Sequence, residues 1–130
     1  MTESTTTTAG EDGSLPSTDE AALERLKRFG GGKLLGEMIS LFLEAAPERI
    51  NAALAGLAAN DVKATEMALH ALKSSSAQLG AMRMQRLCER GEALARSGTL
   101  ENVAGLVSSL EEEFPRVQSW LERARRPEVA

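Results

Sequence analysis

Tyrosine is absent from this chain, tryptophan occurs once (Trp120) and phenylalanine three times (Phe29, Phe42, Phe114). With so few rings, the core must come from Leu, Ala, Met, Val and Ile, a palette that favours helices over sheets. A single cysteine, Cys88, excludes a disulfide framework within the chain and makes the cytoplasm the expected compartment. It lies in an amphipathic stretch and reads as a small buried hydrophobe. No stretch approaches the run of about 18 apolar residues that a membrane span needs, and the N-terminus has no apolar signal-peptide core. Nor does one sign of charge dominate. A net charge of −4 argues against nucleic acid as a partner, because phosphate binding needs a basic surface. Arg123, Arg125 and Arg126 read as the basic last turn of a helix, suited to its dipole.

What is present is a succession of helical patterns, within a length that fits one domain able to bury a core. Residues 1–16 are too polar to offset their ordering entropy and read as a flexible tail, with the bundle over 17–126 and a C-terminal tail at 127–130. Ser17 followed by Glu20 predicts a capping box, then a short helix to about Phe29 that Gly30-Gly31-Gly32 ends. A second helix is expected from Lys33 to Ala59, with Leu34, Leu35, Met38, Ile39, Phe42 and Leu43 beginning its apolar stripe. Pro47 inside it predicts a kink near Phe42–Leu43. Asn60-Asp61 reads as a turn, with Asp61 capping a third helix over Val62 to Leu79 that Gly80 ends. A fourth helix follows from Ala81 to about Ser97, and a fifth from Leu100 to about Arg125. Strand-like alternation appears nowhere. The expected fold is all-α: an antiparallel up-down four-helix bundle with a short extra N-terminal helix. No apolar stripe is left over to demand a second subunit, so a monomer is expected.

Histidine occurs once, at position 70, and imidazole is the one side chain whose ordinary pKa, about 6.5, leaves much of it neutral and nucleophilic at neutral pH. On a wheel of about 100° per residue, Thr65, Ala68, Leu69, Ser76 and Leu79 cluster around Leu72 as the core face. His70 falls about 160° from Leu72, with Lys63, Glu66, Met67, Lys73, Ser74 and Ala77 for company. A core histidine is therefore disfavoured, and a zinc site lacks its further ligands. A plainly solvated histidine and a reactive one are not separated by the wheel.

The run His70-Ala71-Leu72-Lys73-Ser74-Ser75-Ser76-Ala77-Gln78-Leu79-Gly80-Ala81 resembles the signature of histidine-containing phosphotransfer (HPt) domains, the helical-bundle intermediates of two-component phosphorelays. Leu41 to Arg49 looks like that family's second helix, Ala59-Asn60-Asp61 like the turn before its active-site helix, and Leu87-Cys88-Glu89 with Glu92 like its fourth helix. The likeness extends over roughly residues 20–124. It implies that His70 accepts a phosphoryl group from an aspartyl phosphate on a receiver domain and passes it to another receiver. The receiver, such as that of a hybrid sensor kinase, is then expected to supply the divalent metal, Mg2+, and this chain is expected to bind no cofactor of its own. Lys73, one turn on, stabilises phosphoryl oxygens as a point charge. Glu92 matches a position where Gln or Glu lies near the histidine; it either accepts from Nδ1–H and leaves Nε2 as nucleophile, or simply pairs with Arg96. Met67, Ala71 and Ala77 form a rim of small and apolar residues for a receiver helix, with Met38 and Ile39 as weaker candidates for that surface. One residue departs from the pattern: the family usually has glycine after the lysine, and here Ser74 stands there, which bears on rate and partner choice.

There is no Gly-rich nucleotide loop of the Walker type, and neither a receiver nor an ATP-binding kinase domain. The expected product is a phosphocarrier without ATP-dependent activity of its own. A non-catalytic helical adaptor that docks on receivers or kinases is the alternative, and under it His70 and Lys73 are incidental. A metal- or cofactor-binding bundle lacks inward-facing ligands.

Overall fold

In the computed structural model, which describes residues 17–126, four helices follow one another: α1 (Glu20–Ala58), α2 (Val62–Leu79), α3 (Met82–Arg96) and α4 (Leu100–Arg125). The expected tails, 1–16 and 127–130, lie outside the described residues. Connections of two or three residues reverse the chain each time, and the helices close a ring in which α1 packs on α2, α2 on α3, α3 on α4 and α4 back on α1. The antiparallel bundle expected from the periodicity is the one observed. No strand is present among the described residues.

The core repeats the predicted stripes. Leu35, Ile39, Phe42, Ile50 and Ala53 come from α1, and Ala68, Leu69, Leu72 and Leu79 from α2. Met84, Leu87, Cys88 and Ala95 come from α3, and Val103, Val107, Leu110, Val117 and Leu121 from α4. Phe42 and Phe114 meet across α1 and α4, with ring centroids 6.3 Å apart. Truncating a side chain such as Leu72 to alanine in such a core costs about 2–5 kcal/mol.

Two details of the N-terminal half differ from expectation, the cap of α1 and the effect of Pro47. The cap of α1 is Asp19, whose carboxylate accepts from the Ala21 N–H at 3.0 Å, not a Ser17–Glu20 box. Ser17 is engaged elsewhere: its carbonyl accepts from Met82 N–H at 3.0 Å, and its hydroxyl accepts from Arg83 Nη1 at 3.0 Å. Glu20 accepts from Trp120 Nε1 at 2.6 Å. These bonds lay the short leading helix against one end of the bundle. That helix and the long one behind it meet at Gly31 (φ 76, ψ −177), the one non-helical residue inside α1. Pro47 produces no such break. Its ring lies on the exposed face, where the carbonyl one turn earlier can turn to water without leaving a buried orphan.

The α2–α3 connection is fixed from two sides. Gly80 caps α2 in the left-handed region (φ 76), which glycine occupies without a steric penalty. Its carbonyl accepts from Asp19 N–H at 2.8 Å, and a Cβ at this position would lie 2.6 Å from the Asp19 carbonyl oxygen and 2.8 Å from Ala22 Cβ. Asp61 caps α2 at the other end, accepting from Ala64 N–H at 3.0 Å, as its sequence position predicts.

Candidate functional site

α2 buries Thr65, Ala68, Leu69, Leu72, Ser76 and Leu79, the face the wheel assigns to the core. His70 is thereby turned outward, with 60% of its side chain exposed. The adjacent helix approaches closely at Gly91, where a Cβ would come within 2.9 Å of Leu69 Cδ1. The absence of that Cβ brings α3 near enough for the next residue, Glu92, to reach across to α2.

Glu92 is the hub of the site. Its side chain is only 4% exposed, and burial of a carboxylate is costly unless charge and hydrogen bonds compensate. They do. Oε2 lies 2.7 Å from His70 Nδ1 and accepts from Arg96 Nη2 at 2.8 Å; Oε1 lies 2.7 Å from Lys73 Nζ. Arg96 in turn donates from Nε to Glu66 Oε2 at 2.9 Å. Burial pushes the Glu92 carboxyl upward, but the hydrogen bonds from Lys73 and His70 and the charges of both outweigh it, leaving the group below its ordinary 4.5.

That ionised carboxylate sets the tautomer of the histidine. A carboxylate only accepts, so a neutral His70 ring donates Nδ1–H to Glu92 and carries its lone pair on Nε2. The arrangement presents one oriented nitrogen nucleophile on a rigid helix. Cys88 lies beneath the site without sharing in it: burial first, then the Glu92 charge, pushes its thiol up to about 12, leaving it a packed thiol with no thiolate chemistry at neutral pH.

The remaining sequence candidates divide. Lys73 is half-buried, its ammonium held by Glu92. Ser74 and Ala77 are exposed, and Ala71 is half-buried. Met67 is one of the few large apolar side chains exposed to solvent. Ile39 does not belong to a docking surface: it is fully buried because the α1 stripe points it into the core. Met38 is partly buried against that same core. Both also sit at the wrong level of the bundle. The α1 residues that share a depression with His70 and Met67 are Arg49 and Ala52, and residue 38 lies about 16 Å further along the helix from residue 49 at 1.5 Å per residue. Arg49, Ala52 and the Glu66–Arg96 pair were not singled out from the sequence. The spacing of Glu92 and Arg96 was the one available signal, whereas Arg49 and Ala52 follow only from which α1 turn lies beside His70.

The family model described as the Hpt domain matches residues 37–124. The chain belongs to the Hpt domain family. Its fold is similar to that of histidine-containing phosphotransfer protein B from Pseudomonas aeruginosa PAO1, with TM-score 0.80 and 26% identity over 85% of this chain and 95% of that one. It is also similar in fold to the HPT domain of the Hpt sensor hybrid histidine kinase from Shewanella, with TM-score 0.70 and 22% identity over 82% of this chain and 92% of that one. A search of curated protein sequences finds no significant match. As an Hpt domain, the chain has a histidine phosphotransfer role in two-component signalling. None of its described helices is long and apolar enough to cross a membrane.

Proposed function

We propose that His70 Nε2 is the phosphoryl acceptor of this Hpt domain and that the group comes from an aspartyl phosphate on one receiver domain and passes to an aspartate on another. The observation that carries this reading is the bond between Nδ1 and a buried, ionised Glu92, which leaves Nε2 as the nucleophile of an exposed ring. In the forward step the Nε2 lone pair forms the P–N bond while the P–O bond to the donor carboxylate breaks, and that carboxylate leaves with the electron pair. The Nδ1 proton stays in place. The ring gains positive charge as the bond forms, and Glu92 stabilises it. The cationic ring is a good leaving group, which keeps the phosphoryl group transferable in either direction.

Phosphoryl transfer asks mainly for in-line positioning and charge stabilisation. Lys73, a turn from His70, supplies a cation to the phosphoryl oxygens. The receiver supplies the acidic cluster and its Mg2+. Met67, Ala71 and Ala77 form the rim on which a receiver helix packs, and the module acts as a cytoplasmic monomer that carries phosphate without hydrolysing ATP. The test is incubation with a phosphorylated receiver, followed by acid-labile, base-stable phosphate on the intact protein. His70→Gln is expected to abolish the signal and to change stability by less than about 0.5 kcal/mol, since the ring is outside the core. Retained acid-labile phosphate in that variant rules out His70.

A further inference from the structure

Glu92 is a single negative charge with two cations on it. Lys73 sits on Oε1 at 2.7 Å and Arg96 on Oε2 at 2.8 Å. The two cations are not held alike. Lys73 contacts this carboxylate through one ammonium on a flexible stem, on the same helix as His70 and one turn from it. Arg96 bridges two carboxylates with two different nitrogens, Nη2 to Glu92 and Nε to Glu66 at 2.9 Å. A planar guanidinium committed on both edges is pre-organised and costly to withdraw. Lys73, although 29% exposed against 62% for Arg96, has one ion pair to give up where Arg96 has two.

Resting on the reading that His70 carries the phosphoryl group, we propose that Arg96 is a positioning residue that holds Glu92 ionised and in place while Lys73 leaves it for the incoming phosphoryl group. Before transfer, both cations neutralise the Glu92 and Glu66 carboxylates. When the Nε2–P bond forms, a dianionic group arrives beside Lys73, and the ammonium moves to its oxygens. Were Lys73 the sole side-chain cation on Glu92 besides the ring, this move would leave the buried carboxylate facing only the acidic Nδ1–H of the newly cationic ring, and the carboxylate would take that proton. Arg96, fixed by Glu66, prevents that. The Nδ1–H···Glu92 bond survives the step, and the ring remains activated for onward transfer.

The test is a double-mutant cycle on the whole chain, with phosphoramidate as donor so that docking of a receiver plays no part. In that reaction the P–N bond of the donor breaks and ammonia leaves as Nε2 takes the phosphoryl group. Lys73→Ala and Arg96→Ala are each expected to slow phosphorylation about tenfold, a modest fraction of what a fully buried donor supplies. The double variant is expected to be slower than the worse single one by a few-fold only, short of the hundredfold product, because without Arg96 the lysine is already locked on Glu92 and its removal adds only the loss of the Nδ1–H bond. Nitrogen NMR of the ring gives a second readout independent of phosphorylation. Nδ1–H is expected to persist in each single variant and to be lost in the double variant, since one cation suffices to hold Glu92. Arg96→Lys, which reaches only one carboxylate, recovers part of the rate. Rates that multiply to about a hundredfold in the double variant, or loss of Nδ1–H in Arg96→Ala alone, overturn the proposal. If the unmodified protein takes no phosphate at all while the ring readout behaves as described, it is the phosphoacceptor reading that fails.

Discussion

Two glutamates are buried in this bundle, and each meets an arginine, yet they do different work. Glu113 on α4 accepts from Arg83 Nη1 at 3.2 Å, and the same nitrogen donates to the Ser17 hydroxyl. The result is a tie that fastens the segment before α1 onto α3 and α4. Glu92 also binds an arginine, but its remaining contacts are a lysine and an outward-facing histidine. Burial and an ion pair are common to both, so neither marks a functional site. What separates them is the partner: Glu92 orients a group that solvent and other proteins can reach, whereas Glu113 orients only more scaffold.

The sharpest way to break this comparison is to neutralise each carboxylate in turn. Glu92→Gln keeps an acceptor for Nδ1–H but loses the charge that stabilises the cationic ring. Phosphoryl acceptance from a small donor is expected to slow about tenfold, the worth of a charge-assisted over a neutral hydrogen bond. Glu113→Gln is expected to leave that rate within twofold of the original and to lower stability by about 1 kcal/mol in urea denaturation. Equal losses of rate in the two variants would mean that Glu92, too, is only scaffold.

Acid titration sharpens the same contrast. The Glu92 carboxyl in the folded protein lies below its ordinary 4.5. A group whose folded value is depressed binds fewer protons in the native state. Its contribution is therefore present above the ordinary value and is lost as pH falls through the folded one. Denaturation midpoints followed downward from pH 5 should fall more steeply for the unmodified protein than for Glu92→Gln. Parallel curves would show that the cations on Glu92 contribute nothing to folding.

The two glutamates also show how far the sequence can be read. The four long helices, the Asp61 cap, the Gly80 stop and the outward direction of His70 are all local, set by periodicity and turn chemistry within a few residues, and the structure matches them. The choice between the two partners considered for Glu92, His70 or Arg96, is not local. It depends on how closely α2 and α3 approach at Gly91, and the structure has Glu92 serving both at once. The Ser17–Glu20 box fails for a related reason: the long-range bonds of Ser17 to Met82 and Arg83 outcompete a local cap. For Ile39 and Met38, the weaker candidates for the docking face, only the pairing of α1 with α2 reveals which turn of α1 stands beside His70.

The smallest expected effect concerns Ser74, the residue by which this chain leaves its family's pattern. Ser74 is exposed on the His70 face. It contrasts with its neighbour Ser75, whose hydroxyl donates to the Ala71 carbonyl at 3.1 Å and so is tied down along its own helix. Ser74→Gly should cost about 0.5 kcal/mol, the difference in helix propensity between serine and glycine, read as a small shift in the urea midpoint. Its effect on transfer separates two roles by sign. If the serine side chain narrows the approach to His70, its removal opens the site, and transfer from a non-cognate receiver quickens more than transfer from the cognate one. If its hydroxyl instead donates to the phosphoryl oxygens, the variant is slower with every receiver and with phosphoramidate alike. The exposed position of Ser74, outside the Glu92 cluster, favours the first outcome, a filter on partners that leaves the chemistry at Nε2 untouched. Unchanged rates with all donors would show that a serine here does neither.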